Sequence, residues 1–201
     1  MPNFSNRVKK MAEIMAKLQK NLSPKRLKHT IGVSETAVEL ALLYGADPAK
    51  ARLAGLLHDC ARNMPSNILL HRAETSGILV NDIERRHPVL LHAPVGAIVA
   101  RQEYGIDDPA ILSAIRWHTT GGPGIALLDH IIFLADFVEP NRTFDGVDKL
   151  RSLARTNLSE AILAAYDATI GYIIAERGLL HMATVEGRNA VLLKMNTDEV
   201  G

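Results

Sequence analysis

The sequence predicts an all-α, single-domain fold, and three observations carry that prediction. Apolar residues recur at spacings of three and four along almost the whole chain, the period of an amphipathic helix, while β-branched alternation over strand lengths is nearly absent. Ser23-Pro24, Asp47-Pro48 and Asp108-Pro109 each set an oxygen-bearing capping side chain directly before a proline whose fixed φ suits a first helical turn. Gly45, Gly105 and Gly178 stand where such helices should stop.

This punctuation places helices over about 5–20, 24–44, 48–60, 65–75, 93–104, 109–118, 125–138, 146–155, 158–177 and 184–195. A chain of 201 residues fits one domain spanning 1–201. Its core is expected over about 22–195, preceded by a basic N-terminal helix within 1–20 and followed by a flexible tail at 196–201. Two connectors stand out. Thr119-Thr120-Gly121-Gly122-Pro123-Gly124 is a hydroxyl-bearing loop able to bring backbone close to a ligand, and Glu139-Pro140-Asn141-Arg142 ends a helix and offers a guanidinium.

Composition narrows the function classes. The chain is 47% hydrophobic yet shows no run expected to span a bilayer, and residues 1–5 lack an apolar leader, so no membrane partner is expected. A single cysteine, Cys60, excludes an intramolecular disulfide and fits a reducing, cytoplasmic setting. Cys60 itself reads as a small packing residue, since no activating base is identifiable beside it. The net charge of +1 gives no argument for nucleic acid. Residues 1–28 are the exception, with eight lysines and arginines against Glu13 alone, and are read first as a solvated helix face.

The histidines carry the functional signal. His29 shares a helical face with Val33, Ala37 and Leu40, His92 with Val95, Gly96 and Val99, and His118 with Ile111, Ala114 and Ile115. One such histidine is ordinarily a satisfied core residue. Several converging ones need common partners, because each buried ring must be hydrogen-bonded or bound to metal. His58-Asp59 follows the apolar run 53–57 at a helix end, where neighbouring side chains can share one cleft, and Gly55 one turn earlier leaves room alongside. Asp136 lies with Ile132 and Phe133 in an apolar helix, so its carboxylate is expected to be buried and paired. Asp129 and His130, on the same helix, are read as structural. His29, His58, Asp59, His92, His118 and Asp136 offer nitrogen and oxygen donors without thiolate, a set suited to iron or manganese before zinc or magnesium. Six donors exceed the needs of one tetrahedral ion, so two ions bridged by Asp59 are expected, a site able to activate water toward a phosphoryl group.

The pattern His29, His58-Asp59, Asp136 resembles the signature of the HD-domain superfamily of helical metal-dependent phosphohydrolases, and His92 and His118 resemble the additional ligands of its two-metal branches. The strings KRLKHTIGV, AGLLHDCARNMP, HAPVGA, IRWHTTG and LADFVEPNR, from about Lys25 to Leu192, are similar to one bacterial branch, the YqeK-type symmetrical diadenosine tetraphosphate hydrolases. The resemblance implies iron-assisted attack of water on a dinucleoside tetraphosphate, releasing two nucleoside diphosphates, ADP or GDP. It implies metal ligation by the six residues above and catalytic roles for His58, Asp59 and Arg62. Arg26 and Arg62 would meet phosphate, while Thr119 and the segment 136–142, including Asp136, Asn141 and Arg142, would lie against nucleotide. Trp117 and Phe144 are the nearest stacking candidates, though both read first as core. Other readings stay open: another nucleotide phosphohydrolase or phosphodiesterase of the superfamily, or a nucleotide-binding sensor without turnover. The amphipathic C-terminal helices suggest a possible homodimer.

Overall fold

A computed structural model describes residues 4–198, and among them the elements are helical throughout. The order is α1 (Phe4–Asn21), α2 (Pro24–Tyr44), α3 (Pro48–Leu57), α4 (Ser66–Thr75), α5 (Asp82–Arg86), a 3-10 segment (Pro88–Leu91), α6 (His92–Tyr104), α7 (Pro109–Trp117), α8 (Leu127–Val138), α9 (Val147–Thr156), α10 (Leu158–Ala175) and α11 (Met182–Asp198). The three serine or aspartate caps form as expected. Ser23 accepts from the Arg26 amide at 3.3 Å, Asp47 from Ala49 at 2.8 Å, and Asp108 from Ala110 at 2.9 Å. Gly45 and Gly105 close α2 and α6 in the left-handed region at φ 77° and 62°.

Several elements differ from the sequence expectation. Helix α3 ends at Leu57 instead of 60, and the chain continues through tighter turns in which Cys60, Arg62 and Met64 amides reach back three residues. Helix α5 and the 3-10 segment were not expected. Arg177, not Gly178, takes the left-handed conformation after α10, at φ 54°. Helix α11 continues through Asp198, so only residues 199–201 of the expected tail lie outside the described chain, as do residues 1–3 of the N-terminal segment.

The core lies among α2, α3, α7, α8 and α10. Helix α2 packs on α3 and α8, α7 sits against α3, α6 and α8, and α10 closes over α8 and α9. Phe133 and Tyr166, both fully buried, stack with ring centres 4.6 Å apart. Each such side chain contributes roughly 1.5–3 kcal/mol by leaving water. At the α2–α3 crossing, a Cβ on Gly55 would stand 2.6 Å from Ser34 Cα, so only glycine lets the two backbones approach. The room expected beside His58 is filled by α2.

Helix α1 buries Ile14 and Leu18, and Leu22 is buried just past its end. Its Lys10 and Lys17 donate to the Gly105 and Glu103 carbonyls at 2.7 and 2.5 Å, setting cations on the negative end of α6. Lys9, Lys20, Lys25 and Lys28 face solvent, as a solvated face requires. Contrary to the reading that no segment could span a bilayer, α10 is long and apolar enough on length and composition alone. Its Ala161, Ile162, Ala165 and Tyr166 are buried in the core.

Candidate metal centre

Five separate elements deliver the predicted donors to one point. His29 comes from the inner face of α2, His58 and Asp59 from the turn that ends α3, His92 from the first residue of α6, His118 from the residue after α7, and Asp136 from the last turn of α8. All four histidines are buried, with edge-on ring centres 5.3 Å apart for His29–His58, 4.8 Å for His58–His118 and 5.0 Å for His92–His118.

Each ring is aimed from behind. The Nδ1 of His58 lies 2.7 Å from the Gly55 carbonyl, that of His92 2.5 Å from Val89, that of His118 2.7 Å from Ile115, and that of His29 3.0 Å from Glu139 Oε1. With Nδ1 occupied as a donor, Nε2 is left facing inward, the arrangement that orients metal-binding imidazoles. Asp59, 2% exposed, stands among them. Its Oδ2 lies 3.7 Å from His29 Nε2 and 3.4 Å from His58 Nε2, while its Oδ1 lies 3.2 Å from His92 Nε2 and 3.7 Å from His118 Nε2. One carboxylate thus serves two groups of imidazoles.

The electrostatics follow. Burial alone would raise the Asp59 carboxyl and lower the His58 ring, but their attraction wins on both sides: Asp59 is held well below the usual carboxylate range and His58 above its ordinary value. Burial, aided by repulsion from His58 and His92, lowers His118. Burial also pulls Asp136 upward, and His29 with its cationic neighbours overcomes that to hold it low. The Cys60 thiol, buried beside the site with Sγ 3.4 Å from the Gly96 carbonyl, is pushed up, as an inert packing residue should be.

Arg26 Nη1 donates to Asp59 Oδ2 at 2.7 Å. Thr119 Oγ1 lies 3.2 and 3.0 Å from Nε2 of His92 and His118. Arg142 donates from Nε to the Asp136 carbonyl at 2.7 Å and pairs with the Asp136 carboxylate. Asp136 is less buried than expected, its side chain 18% exposed, because α8 ends there and the carboxylate sits at the mouth of the cluster. Asn141 does not turn to the centre: its Nδ2 donates to Glu139 Oε2 at 2.8 Å. Arg62 is half-buried and makes no side-chain hydrogen bond or ion pair among the described residues. Phe144, read first as core, is 40% exposed. Asp129 is structural, accepting from Ser113 Oγ at 3.1 Å and the Ala126 amide at 2.8 Å. The sequence placed Glu139 only in the connector after α8 and missed its position behind His29. Arg151, which donates to the carbonyls of Val138, Glu139 and Arg142, went unnoticed.

The donors fit a metal. The sets His29–His58–Asp59, Asp59–His92–His118 and His58–His118–Asp136 each bring ligand atoms within 4.8 Å of one another. Nε2 of His29 and of His58 are buried without a hydrogen bond of good geometry and stand 3.0 Å from Asp136 Oδ1 and 3.4 Å from Asp59 Oδ2. With each proton on Nδ1, those lone pairs face carboxylate oxygens, an arrangement that is costly unless a cation sits between them.

The HD domain family model matches residues 26–141, which include every one of these donors. The chain belongs to the HD domain family. Similar members include the symmetrical bis(5'-nucleosyl)-tetraphosphatase of Halalkalibacterium halodurans, 43% identical over 178 residues that make up 87% of this chain and 92% of the relative. The protein of the same name from Bacillus subtilis is 40% identical over 81% of this chain and 87% of its own length. The crystal structure of a predicted HD superfamily hydrolase involved in NAD metabolism from Clostridium acetobutylicum superposes with a TM-score of 0.90. It is 43% identical and covers 92% of this HD-domain chain and 97% of the other.

Proposed function

We propose that the protein is a metal-dependent hydrolase that cleaves bis(5'-nucleosyl) tetraphosphates symmetrically, taking diadenosine tetraphosphate to two ADP, with the guanine counterpart giving GDP. The observation that carries this reading is the shared carboxylate: Asp59 offers one oxygen to His29 and His58 and the other to His92 and His118. The names of the two bacterial relatives supply the substrate class.

His29, His58, Asp59, His92, His118 and Asp136 hold the metal, and a donor set of nitrogen and carboxylate oxygen without thiolate suits iron, with manganese or another divalent ion as substitute. When bound, such cations neutralise phosphoryl charge and acidify water. Around them the chain's own groups bind and orient substrate. Arg26 and Arg142, 30% and 39% exposed at the side chain, are anchored on Asp59 and Asp136 and can turn a guanidinium face to phosphate. Arg62, unpaired among the described residues, provides a third cation. Thr119 sets a hydroxyl beside His92 and His118 for a phosphate oxygen, and Asn141 steadies the turn that carries Arg142. The single domain spans the chain, and a cytoplasmic setting fits both a reduced Cys60 and a nucleotide substrate.

Protein loaded with iron or manganese is expected to convert diadenosine tetraphosphate almost wholly to ADP. ATP with AMP as products would overturn the symmetrical cleavage. Tight ADP binding with no hydrolysis of any dinucleotide would make the protein a sensor. A homodimer through α10 and α11 is supported by the exposure of Tyr172, Ile174, Met182 and Leu193, each more than half exposed. Sedimentation at micromolar concentration tests it, and a monomer there refutes it.

A further inference from the structure

Of the four imidazoles that meet at Asp59, three rest on main-chain carbonyls, and His29 alone rests on a side-chain carboxylate, that of Glu139. The position of Glu139 is unfavourable by itself. It is 1% exposed and follows directly on α8, at the negative end of the helix dipole. The surrounding chain nevertheless builds a seat for it. Glu139 Oε2 accepts the Asn141 amide at 2.7 Å and Asn141 Nδ2 at 2.8 Å. Gly32 on α2 omits a Cβ that would stand 2.5 Å from that same oxygen. Arg151 reaches across from α9 to the carbonyls of Val138, Glu139 and Arg142 at 3.0, 2.8 and 2.8 Å, clamping the turn that carries the carboxylate.

We infer that Glu139 is a positioning residue whose carboxylate, seated by Gly32, Asn141 and Arg151, accepts the Nδ1–H of His29 and holds its Nε2 ready as a donor to a divalent cation. The inference rests on reading His29 as a metal ligand. Accepting that proton fixes the tautomer in which the Nε2 lone pair points toward Asp59 and Asp136, and an anionic acceptor raises ligand basicity more than a neutral carbonyl does. The arrangement also accounts for two features that the metal ligands leave unexplained: a glycine inside α2 against the Glu139 carboxylate, and the bond of Asn141 Nδ2 to that carboxylate.

The test is Mn2+ binding by calorimetry on the full-length protein after chelation, in wild type, Glu139→Gln and Gly32→Ala. Glutamine keeps the size but replaces one oxygen with an amino group, which must face either the His29 N–H or the two Asn141 donors. Alanine at position 32 displaces the flexible end of Glu139 while keeping every metal-site side chain. Its better helix propensity offsets part of the overlap, and circular dichroism checks that the variant is folded before binding is read. Both variants are expected to weaken the tightest Mn2+ binding by about 10- to 100-fold. In the chelated protein, the 15N signals of His29 are expected to move from the Nδ1-protonated pattern toward a mixture of tautomers. Wild type that takes up no Mn2+ overturns the metal-centre reading itself. Wild type that binds, with Gly32→Ala binding equally well, overturns the role of Glu139 alone. Should Glu139→Gln fail to fold, Gly32→Ala still decides.

Discussion

Arg26 donates from Nη1 to Oδ2 of Asp59 at 2.7 Å, on the same carboxylate oxygen that faces His29 and His58. A cation brought to that oxygen meets the guanidinium charge, while a phosphate brought to Arg26 draws the guanidinium off the carboxylate. Removing the arginine should therefore separate metal binding from substrate binding. Arg26→Met is expected to tighten Mn2+ by several fold, the size of about 1 kcal/mol for a partly exposed pair. It should raise KM for diadenosine tetraphosphate about tenfold, as loss of a charge-assisted hydrogen bond of about 1.5–3 kcal/mol implies. Equal Mn2+ affinity in the two proteins would show that Arg26 does not compete for Asp59.

Asp59→Asn keeps the shape of the side chain and removes the charge that both imidazole groups share. Turnover and Mn2+ uptake are expected to fall by more than the ~10- to 100-fold that follows loss of a group behind a ligand. The far-ultraviolet circular dichroism should stay helical, because the core built from Phe133, Leu57 and Ile115 is untouched. A variant with near-normal turnover would mean that Asp59 is not the bridge.

What could be read from the sequence was local. The caps at Ser23, Asp47 and Asp108 act within three residues of themselves, and the stripes holding His29, His92 and His118 repeat at helical period, so the helices and the inward histidines were both legible. Helix α5 also had a local signature that went unread: Asn81 caps Glu84 while the Glu84 carboxylate returns to the Asn81 amide. Its five residues carry too short a periodicity to stand out beside that box. Glu139 and Arg151 were illegible for a different reason. Glu139 meets His29 across 110 positions of sequence, and nothing near either residue announces the pairing. The bond from Asn141 to Glu139 was illegible for the same reason, since that carboxylate's seat depends on Gly32 in a helix far upstream.

The loop that carries Thr119 is held by one buried hydroxyl. The Gly122 amide donates to Tyr166 Oη at 3.2 Å, and burial pushes the Tyr166 phenol up to about 12, so it stays neutral and fit for that role. Gly121 sits at φ 61°, and a Cβ there would fall 1.9 Å from Tyr166 Oη. Gly121→Ala should lose about 1–2 kcal/mol for the left-handed backbone and about 1–3 kcal/mol more for the overlap. Tyr166→Phe should lose only about 1–3 kcal/mol by stranding one amide. Urea unfolding that ranks Tyr166→Phe as the more damaging change would contradict this account.

His130 gives the fold an acid-sensitive element outside the metal centre. Burial, with the Lys194 charge nearby, pushes its imidazole down to about 4, and its Nδ1 is buried without a hydrogen bond. An unfolded histidine titrates near 6.5. Between those two values the unfolded chain binds the proton and the folded chain does not, so stability is full above pH ~6.5 and is lost as pH falls toward 4. The loss amounts to at most about 3 kcal/mol, because a proton held tenfold more weakly in the folded chain costs about 1.36 kcal/mol and the ring is not wholly shielded from water. His130→Leu removes the titration without introducing a polar group. Bound metal would add its own acid dependence to both proteins, so the comparison is made after chelation, by chemical denaturation at pH 7.5 and pH 4.5. The wild type is expected to lose more stability than the variant over that interval, and parallel losses would place the acid sensitivity elsewhere.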